Sequence, residues 1–303
     1  MRVWYFDIIQ VMDFKKEFKV KVLQGDKIPE SLRELPDAPG QLHLIGDLPE
    51  RTQYKYLTVV GSRVQSAYGR RVLESFIAAL AGLPVVIVSG LALGTDAHAH
   101  KLALQYKLKT IAVPGSGLSK KVLYPKSHFN LAKQILDSGG ALLSEFDFEQ
   151  QAAPWTFPQR NRIMAGLSDA TLVIEAKEKS GTLITARLAS EYNKDLLVVP
   201  GDIFQDSMRG NLQFLKLGAT PVCDAQDILE VLDINPDIKT PEQQIHDKLP
   251  DDERAVLNAL SEPLDKDALL QKSGLEISRF NIAFSKLELK GLLKEELGKV
   301  FRI

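Results

Sequence analysis

From Leu57 onward the chain repeats one pattern: a short apolar run, then a segment long enough for a helix. The runs are LTVVG (57–61), PVVIVSG (84–90), KTIAVPG (109–115), ALLSEF (141–146), ATLVIEA (170–176), DLLVVPG (195–201) and TPVCD (220–224), and most end in glycine or a small polar residue. The clearest helical segments between them are YGRRVLESFIAAL, the stretch from Thr95 to Tyr106, and TLITARLASEYN. Strands alternating with helices at this spacing predict an α/β fold, a doubly wound Rossmann-like parallel sheet with helices on both faces. ATLVIEA is apolar on both faces except at Glu175, as suits a strand buried inside a parallel sheet.

The richest stretch is FPQRNRIMAGLSDATLVIEA, residues 157–176, which joins a cationic turn to that strand. Pro158 biases Phe157 toward an extended shape and opens a helix expected over Gln159 to Leu167. That helix start is expected to aim its free amides and the guanidinium groups of Arg160 and Arg162 the same way. An anion is the natural partner of such an end, and Phe157 adds an aromatic face beside it.

With 303 residues, 45% hydrophobic and 25% charged, the chain is long enough for one large domain and a small one. The single cysteine, Cys223, excludes a disulfide framework or a cysteine-rich metal site and reads as a packed thiol in a reducing compartment. The opening MRVWYFDIIQVMDFKKEF has one basic residue ahead of its apolar residues, an acid at Asp7 and no small-residue cleavage site, so it does not read as a signal peptide. No run elsewhere reaches membrane-spanning length, and a cytoplasmic protein with no membrane partner is expected. A formal net charge of −1 confines any nucleic-acid site to a local basic patch.

Four regions follow. Residues 1–50 form a lead-in with a β-ribbon expected around Phe18 to Leu23, and residues 51–233 form the sheet domain. Residues 234–252 form a polar, proline-containing linker, and residues 253–303 form a small C-terminal module. The module reads as three helices and a β-hairpin, a winged helix, with apolar positions that include Leu257, Leu269, Ile282, Phe284, Leu287 and Leu289 and a turn at Gly274. From Pro241 onward it has ten Lys and Arg against twelve Asp and Glu, and 10 − 12 leaves it slightly acidic. That balance favours a docking or dimerising module over a reader of duplex DNA, which relies on phosphate neutralisation.

In an open parallel sheet, chemistry gathers outside the carboxyl ends of the strands. There the sequence places Gly61-Ser62-Arg63, Ser89-Gly90, Gly94-Thr95-Asp96, Gly115-Ser116-Gly117 and Ser180-Gly181-Thr182. Glycine lets a phosphate approach the main chain, and a following helix favours negative charge. Each turn alone reads more plainly as close packing. Five on one rim, with Arg63, Arg160 and Arg162 and with Lys120, Lys121 and Lys126 after the third strand, point to a polyanion site.

Other chemistries fit poorly. Lys120 stands where a dinucleotide fingerprint needs its third glycine, and no Gly-Lys-Ser/Thr closes a P-loop, so no cofactor is expected. His98 and His100, two apart on a helix, face different sides and make no metal pair; Asp96 and His100, four apart, are expected to tie the helix start together. No Gly-x-Ser-x-Gly elbow appears, and Cys223 has no histidine near it in sequence, so no catalytic residue is assigned. Glu145 and Glu175 read as salt-bridge partners of Arg160 or Arg162.

The ordered motifs VVGSR with SAYG after it, IVSGLALGTDAHAH, GSGL followed by Tyr124-Pro125, LLSE, FPQRNRIMAGLSDATLVIEA, SGTLITARLASE and VVPG resemble the DNA-processing protein A family (DprA, also called Smf) over about residues 28–232. Thr95 departs from the family, in which isoleucine is commoner. The resemblance implies a non-enzymatic protein that binds single-stranded DNA and hands it to the recombinase RecA in natural transformation, the competence pathway of DNA recombination. It implies that Ser62 and Arg63 meet DNA phosphates with Gly61 as the close turn, that Arg160 and Asn161 make polar contacts, and that Phe157 stacks on a base. Gly90, Gly115, Lys126, Ser180, Gly181 and Thr182 complete the expected DNA-binding set. It also implies a homodimer formed through the sheet domain, for which the apolar run from Leu212 to Leu217 is a candidate surface. The rival is a phosphoribohydrolase-like nucleotide hydrolase, which uses a Gly-Thr helix start with a downstream glutamate, here Gly181, Thr182 and Glu191. Its Pro-Gly-Gly-x-Gly-Thr loop is missing from the sequence.

Overall fold

The computed structural model describes residues 18–235, 248–260, 263–296 and 298–302. All seven expected runs contain strands, and each strand stops short of the end of its run. They are β3 (Lys55–Val60), β4 (Val85–Ser89), β5 (Lys109–Ala112), β6 (Ala141–Ser144), β7 (Ala170–Val173), β8 (Asp195–Val198) and β9 (Thr220–Pro221). Two strands from the lead-in, β1 (Val20–Leu23) and β2 (Leu42–Gly46), join the same sheet. The spatial order is β1-β2-β6-β5-β4-β3-β7-β8-β9. The seven strands from β6 to β9 run parallel, whereas β2 pairs antiparallel with β6 and β1 antiparallel with β2. The expected ribbon around Phe18 to Leu23 is β1, and its partner β2, not expected from the sequence, makes one edge of the parallel sheet antiparallel.

The helices of this unit are α1 (Glu30–Arg33), α2 (Ala67–Ala79), α3 (Thr95–Gln105), α4 (Phe129–Asp137), α5 (Thr156–Leu167), α6 (Thr182–Glu191), α7 (Arg209–Lys216) and α8 (Ala225–Val231). Strand residues alternate between two cores. Leu57, Val59, Val85, Ile87 and Leu172 face Leu73 and Ile77 of α2, Leu102 of α3 and Ile228 of α8. Tyr56, Val60, Val86, Val88 and Val173 face Ile163 and Met164 of α5, Ala186 of α6 and Phe214 of α7. This two-residue period buries both faces of the sheet. Chain order rises from β3 through β4 and β5 to β6 on one side, then returns to place β7 against the opposite edge of β3. A crevice therefore opens between the loops that leave β3 and β7, the switch point where open α/β sheets bind ligands.

A second compact unit, residues 239–303, contains α9 (Asp251–Ala259), α10 (Lys266–Ser273), α11 (Ile277–Leu289) and the hairpin β10 (Leu293–Glu296) with β11 (Lys299–Arg302). Gly274, where a turn was expected, ends α10 as a left-handed cap at φ +67°. Phe280, Ala283, Phe284 and Leu287 form the buried stripe of α11. Ile282 and Leu289, expected among the apolar positions, are exposed, because each lies about 200° round the helix from a stripe residue two positions before it. Residues 1–17, which hold most of the leader reading, and most of the expected linker lie outside the described residues.

Candidate nucleic-acid interface

Helix α5 begins at Thr156, not Gln159, and Pro158 lies inside its first turn. Proline fits there because the first amides of a helix have no internal partner, so Phe157 is helical rather than extended. Thr156 holds the start in place: its hydroxyl lies 2.6 Å from the Gly115 carbonyl and accepts from the Ala153 amide at 3.1 Å. Phe157 then packs on Gly115, where an added Cβ would sit 2.6 Å from the ring.

Arg160 and Arg162 do not point the same way. Two residues apart on a helix, they face nearly opposite sides. Arg162 pairs with Glu145 and lies 3.4 Å from Asp37 Oδ2, fastening α5 to the β6 exit and the lead-in. Arg160, expected as a DNA contact, is 5% exposed and braces the loops: its Nη1 donates to the carbonyls of Gly90 and Val113, and its Nε donates to Asn161 Oδ1 at 3.0 Å. Asp96 accepts from the Gly90 amide at 3.1 Å, so the Gly90 residue is gripped from both sides. A side chain at Gly90 would strike Arg160 Nη1 at 2.1 Å. Burial pushes Arg160 down to about 10, partly offset by Asp96, so it stays protonated at neutral pH. Burial likewise raises Asp96, opposed by Arg160 and by the amides of Ala92 and Gly90.

Other expectations resolve in the same way. Asp96 and His100 do not pair: His100 Nδ1 lies 2.8 Å from Thr110 Oγ1, inside the core. Burial pushes His100 down to about 3, leaving it neutral. Glu175 bonds to neither arginine but accepts from the Ser66 amide at 2.8 Å, at the start of α2. Cys223 is exposed, not packed, because β9 is a two-residue edge strand that ends before it.

Four of the loops named from the sequence contribute to two adjoining depressions. A cleft of about 630 Å³ lies between Gly61-Ser62-Arg63 after β3 and Lys177 to Thr182 after β7, with Phe157, Arg160 and Asn161 along its wall. Thr182 Oγ1 donates to the Gly61 carbonyl at 3.0 Å and ties the two loops together. Ser62 Oγ donates to the Val64 carbonyl at 2.8 Å, closing its own turn. Ser180 Oγ accepts from the Thr182 amide at 3.1 Å, and Asn161 Nδ2 donates to the Gly181 carbonyl at 3.4 Å. These side chains shape the cleft. A side chain at Gly181, by contrast, would meet nothing within 4 Å.

Among the described residues Arg63, Lys177 and Lys179 form no ion pair, and all three are exposed at the cleft. The Arg63 guanidinium lies 5.4 Å from the centre of the Phe157 ring. Gly90 lines the smaller depression, and Gly115 lies beneath Phe157. Lys126 is exposed in the single turn Lys126–His128 and lines neither depression. Lys120 leans on the Phe129 ring at 5.1 Å. The lysines that face the cleft are thus Lys177 and Lys179; a basic pair after a strand end is the signal that finds them, the same signal read after β5. Glu191, the rival reading's glutamate, ends α6 nine residues after Thr182, about 13 Å along the helix and outside the cleft lining.

Comparison with known proteins agrees with this architecture. Residues 19–233 match the model of DNA recombination-mediator protein A, and residues 240–299 match the DprA winged helix domain. Protein Smf of Escherichia coli is 36% identical over 286 residues, covering 91% of this chain and 75% of its own length. The crystal structure of DNA processing protein A from Streptococcus pneumoniae superposes with a TM-score of 0.64 at 40% identity, covering 71% of this chain and 76% of that one. A structure concerned with the single-stranded DNA binding mode of DNA processing protein A from Helicobacter pylori gives 0.63 at 29% identity, covering 72% and 98%. With a matched domain spanning its whole sheet unit and a second matching its winged helix, the chain belongs to the DNA recombination-mediator protein A (DprA/Smf) family.

Proposed function

We propose that this protein binds single-stranded DNA in the cleft between β3 and β7 and passes it to a RecA-type recombinase without making or breaking a bond. One observation carries the reading: Arg63, Lys177 and Lys179, in no ion pair among the described residues, converge on glycine-rich loops at the sheet's switch point. Bare amides and unpaired cations hold a phosphate chain, and the Phe157 ring beside Arg63 offers a sequence-tolerant surface. Arg160, Asn161 and Thr182 serve by positioning the loops. The single-stranded DNA bound by the H. pylori relative supports the choice of ligand. Family membership supports the hand-over to RecA and a homodimer, in which two clefts sharing one strand would raise avidity. In the run suggested as a dimer surface, Phe214 is in the core and Leu217 is 80% exposed. No helix among the described residues is long and apolar enough to cross a membrane.

The test is Arg63→Ala, measured by anisotropy of a labelled oligonucleotide over a salt series. Affinity is expected to fall about tenfold, and the slope of log affinity against log salt to become shallower by about 0.7, one phosphate contact on a single strand. An unchanged isotherm with an unchanged slope removes Arg63 and the cleft from the account.

A further inference from the structure

Glu175 is fully buried and does not line the cleft, although its neighbours do. The amide of Ile174 meets the carbonyl of Val60 at 3.0 Å, and Val60 and Lys177 both face the cleft. The carboxylate between them turns to the start of α2. Its Oε1 accepts from the Ser66 amide at 2.8 Å, and Ser66 caps the helix by accepting from the Gly69 amide at 3.0 Å. Gly69 makes room for it, since an added Cβ would sit 2.8 Å from Glu175 Cδ. Oε2 has no hydrogen-bond partner among the described residues. A buried carboxylate with a single hydrogen bond costs stability, so packing alone gives no reason for it. Its position does. In doubly wound sheets the phosphates of a bound nucleotide rest on the start of a helix at the switch point, and α2 follows β3 into that place.

We propose that Glu175 is a built-in anion: its carboxylate fills the seat at the start of α2 where the diphosphate of a free nucleotide would bind, and so makes the cleft selective for a nucleic-acid chain. The inference rests on the reading of the cleft as a single-stranded DNA site and adds what that site refuses. The anchors left for phosphate lie on the outer rim, at Arg63, Lys177, Lys179 and the open start of α6 beside Gly181. A chain lies along such a rim and meets several cations at once, each contact adding to the last. A diphosphate is too short to gather them and depends on one concentrated seat, the helix start that Glu175 occupies. Glu175 thus sets specificity without touching the bound strand.

The experiment measures, on the full chain at constant ionic strength, displacement of labelled oligo-dT by inorganic pyrophosphate. Glu175→Ala is expected to need about tenfold less pyrophosphate than wild type for half-displacement, a gain that loosened packing does not produce. Glu175→Gln removes the charge but keeps the bulk in the seat, and should leave the displacement close to that of wild type. Equal sensitivity of wild type and a folded Glu175→Ala, or a shift as large with Glu175→Gln, overturns the proposal. Should Glu175→Ala fold poorly, hydrogen exchange of wild type decides: pyrophosphate is expected to leave residues 66–70 unchanged, and protection there overturns the filled seat. If wild type does not bind oligo-dT, the reading of the cleft falls, and the exchange measurement still tests the seat.

Discussion

Three cations at the cleft and four in the winged helix are placed in different ways. At the cleft, Arg63, Lys177 and Lys179 face solvent and form no ion pair among the described residues. In the winged helix, Arg254 pairs with Asp251, Arg279 with Asp252, Lys290 with the buried Glu253, and Lys294 with Glu296. The helix that a duplex reader would insert into a groove, α11, instead exposes Ile277, Ile282 and Leu289. Counting charges separates the units poorly, since one is almost neutral overall and the other slightly acidic. The three cleft cations form no ion pair among the described residues, whereas those four winged-helix cations are already engaged, and an unengaged cation gains more by meeting a phosphate. The contrast favours the sheet domain as the DNA site and a protein partner for the winged helix.

The strongest way to break the contrast is a charge in the open space at Gly181. That residue has φ −59°, so a side chain fits without strain, and it precedes the first turn of α6. Gly181→Asp puts a carboxylate where the helix dipole favours it and a phosphate does not. Affinity for oligo-dT should fall at least tenfold while the thermal midpoint stays level or rises; parallel losses of both would mean misfolding instead. A smaller effect, on stability, marks the sheet unit's interior. His100 is pushed from its ordinary 6.5 to about 3, so as pH falls below 6.5 the unfolded chain takes up a proton that the folded chain refuses. The stability His100 contributes is complete above that pH and is lost toward pH 3. Wild type should lose about 1 kcal/mol more than His100→Asn between pH 7.5 and 5.5 by urea titration. Equal losses would mean that His100 is hydrated. The smallest effect is expected in the other unit: Lys286→Glu, on the exposed side of α11, should change oligo-dT affinity less than twofold, and a tenfold loss would erase the distinction between the units.

The fold was legible because periodicity is a local property. Short apolar runs located the seven strands of the parallel sheet, whereas strand β2, its pairing with β1 and the order of the sheet, which join distant segments, had to come from the structure. The site was legible by loop and less so by side chain. Gly61, Ser62, Arg63, Phe157 and Ser180 to Thr182 do converge. Arg160 and Arg162 were expected to point together, yet the spacing argument that separates His98 from His100 separates them as well. Asp96 engaged the Gly90 amide in place of His100 because a strand-end amide four to six residues back competes for a carboxylate, which helix spacing alone does not reveal.

Hydrogen–deuterium exchange of the full chain, with and without saturating oligo-dT, tests the central claim most directly. Slowed exchange is expected in residues 61–66, 90–95 and 177–183, with no change across 251–260 and 277–289. Protection of α11 and the hairpin, with the glycine-rich loops unchanged, would contradict it.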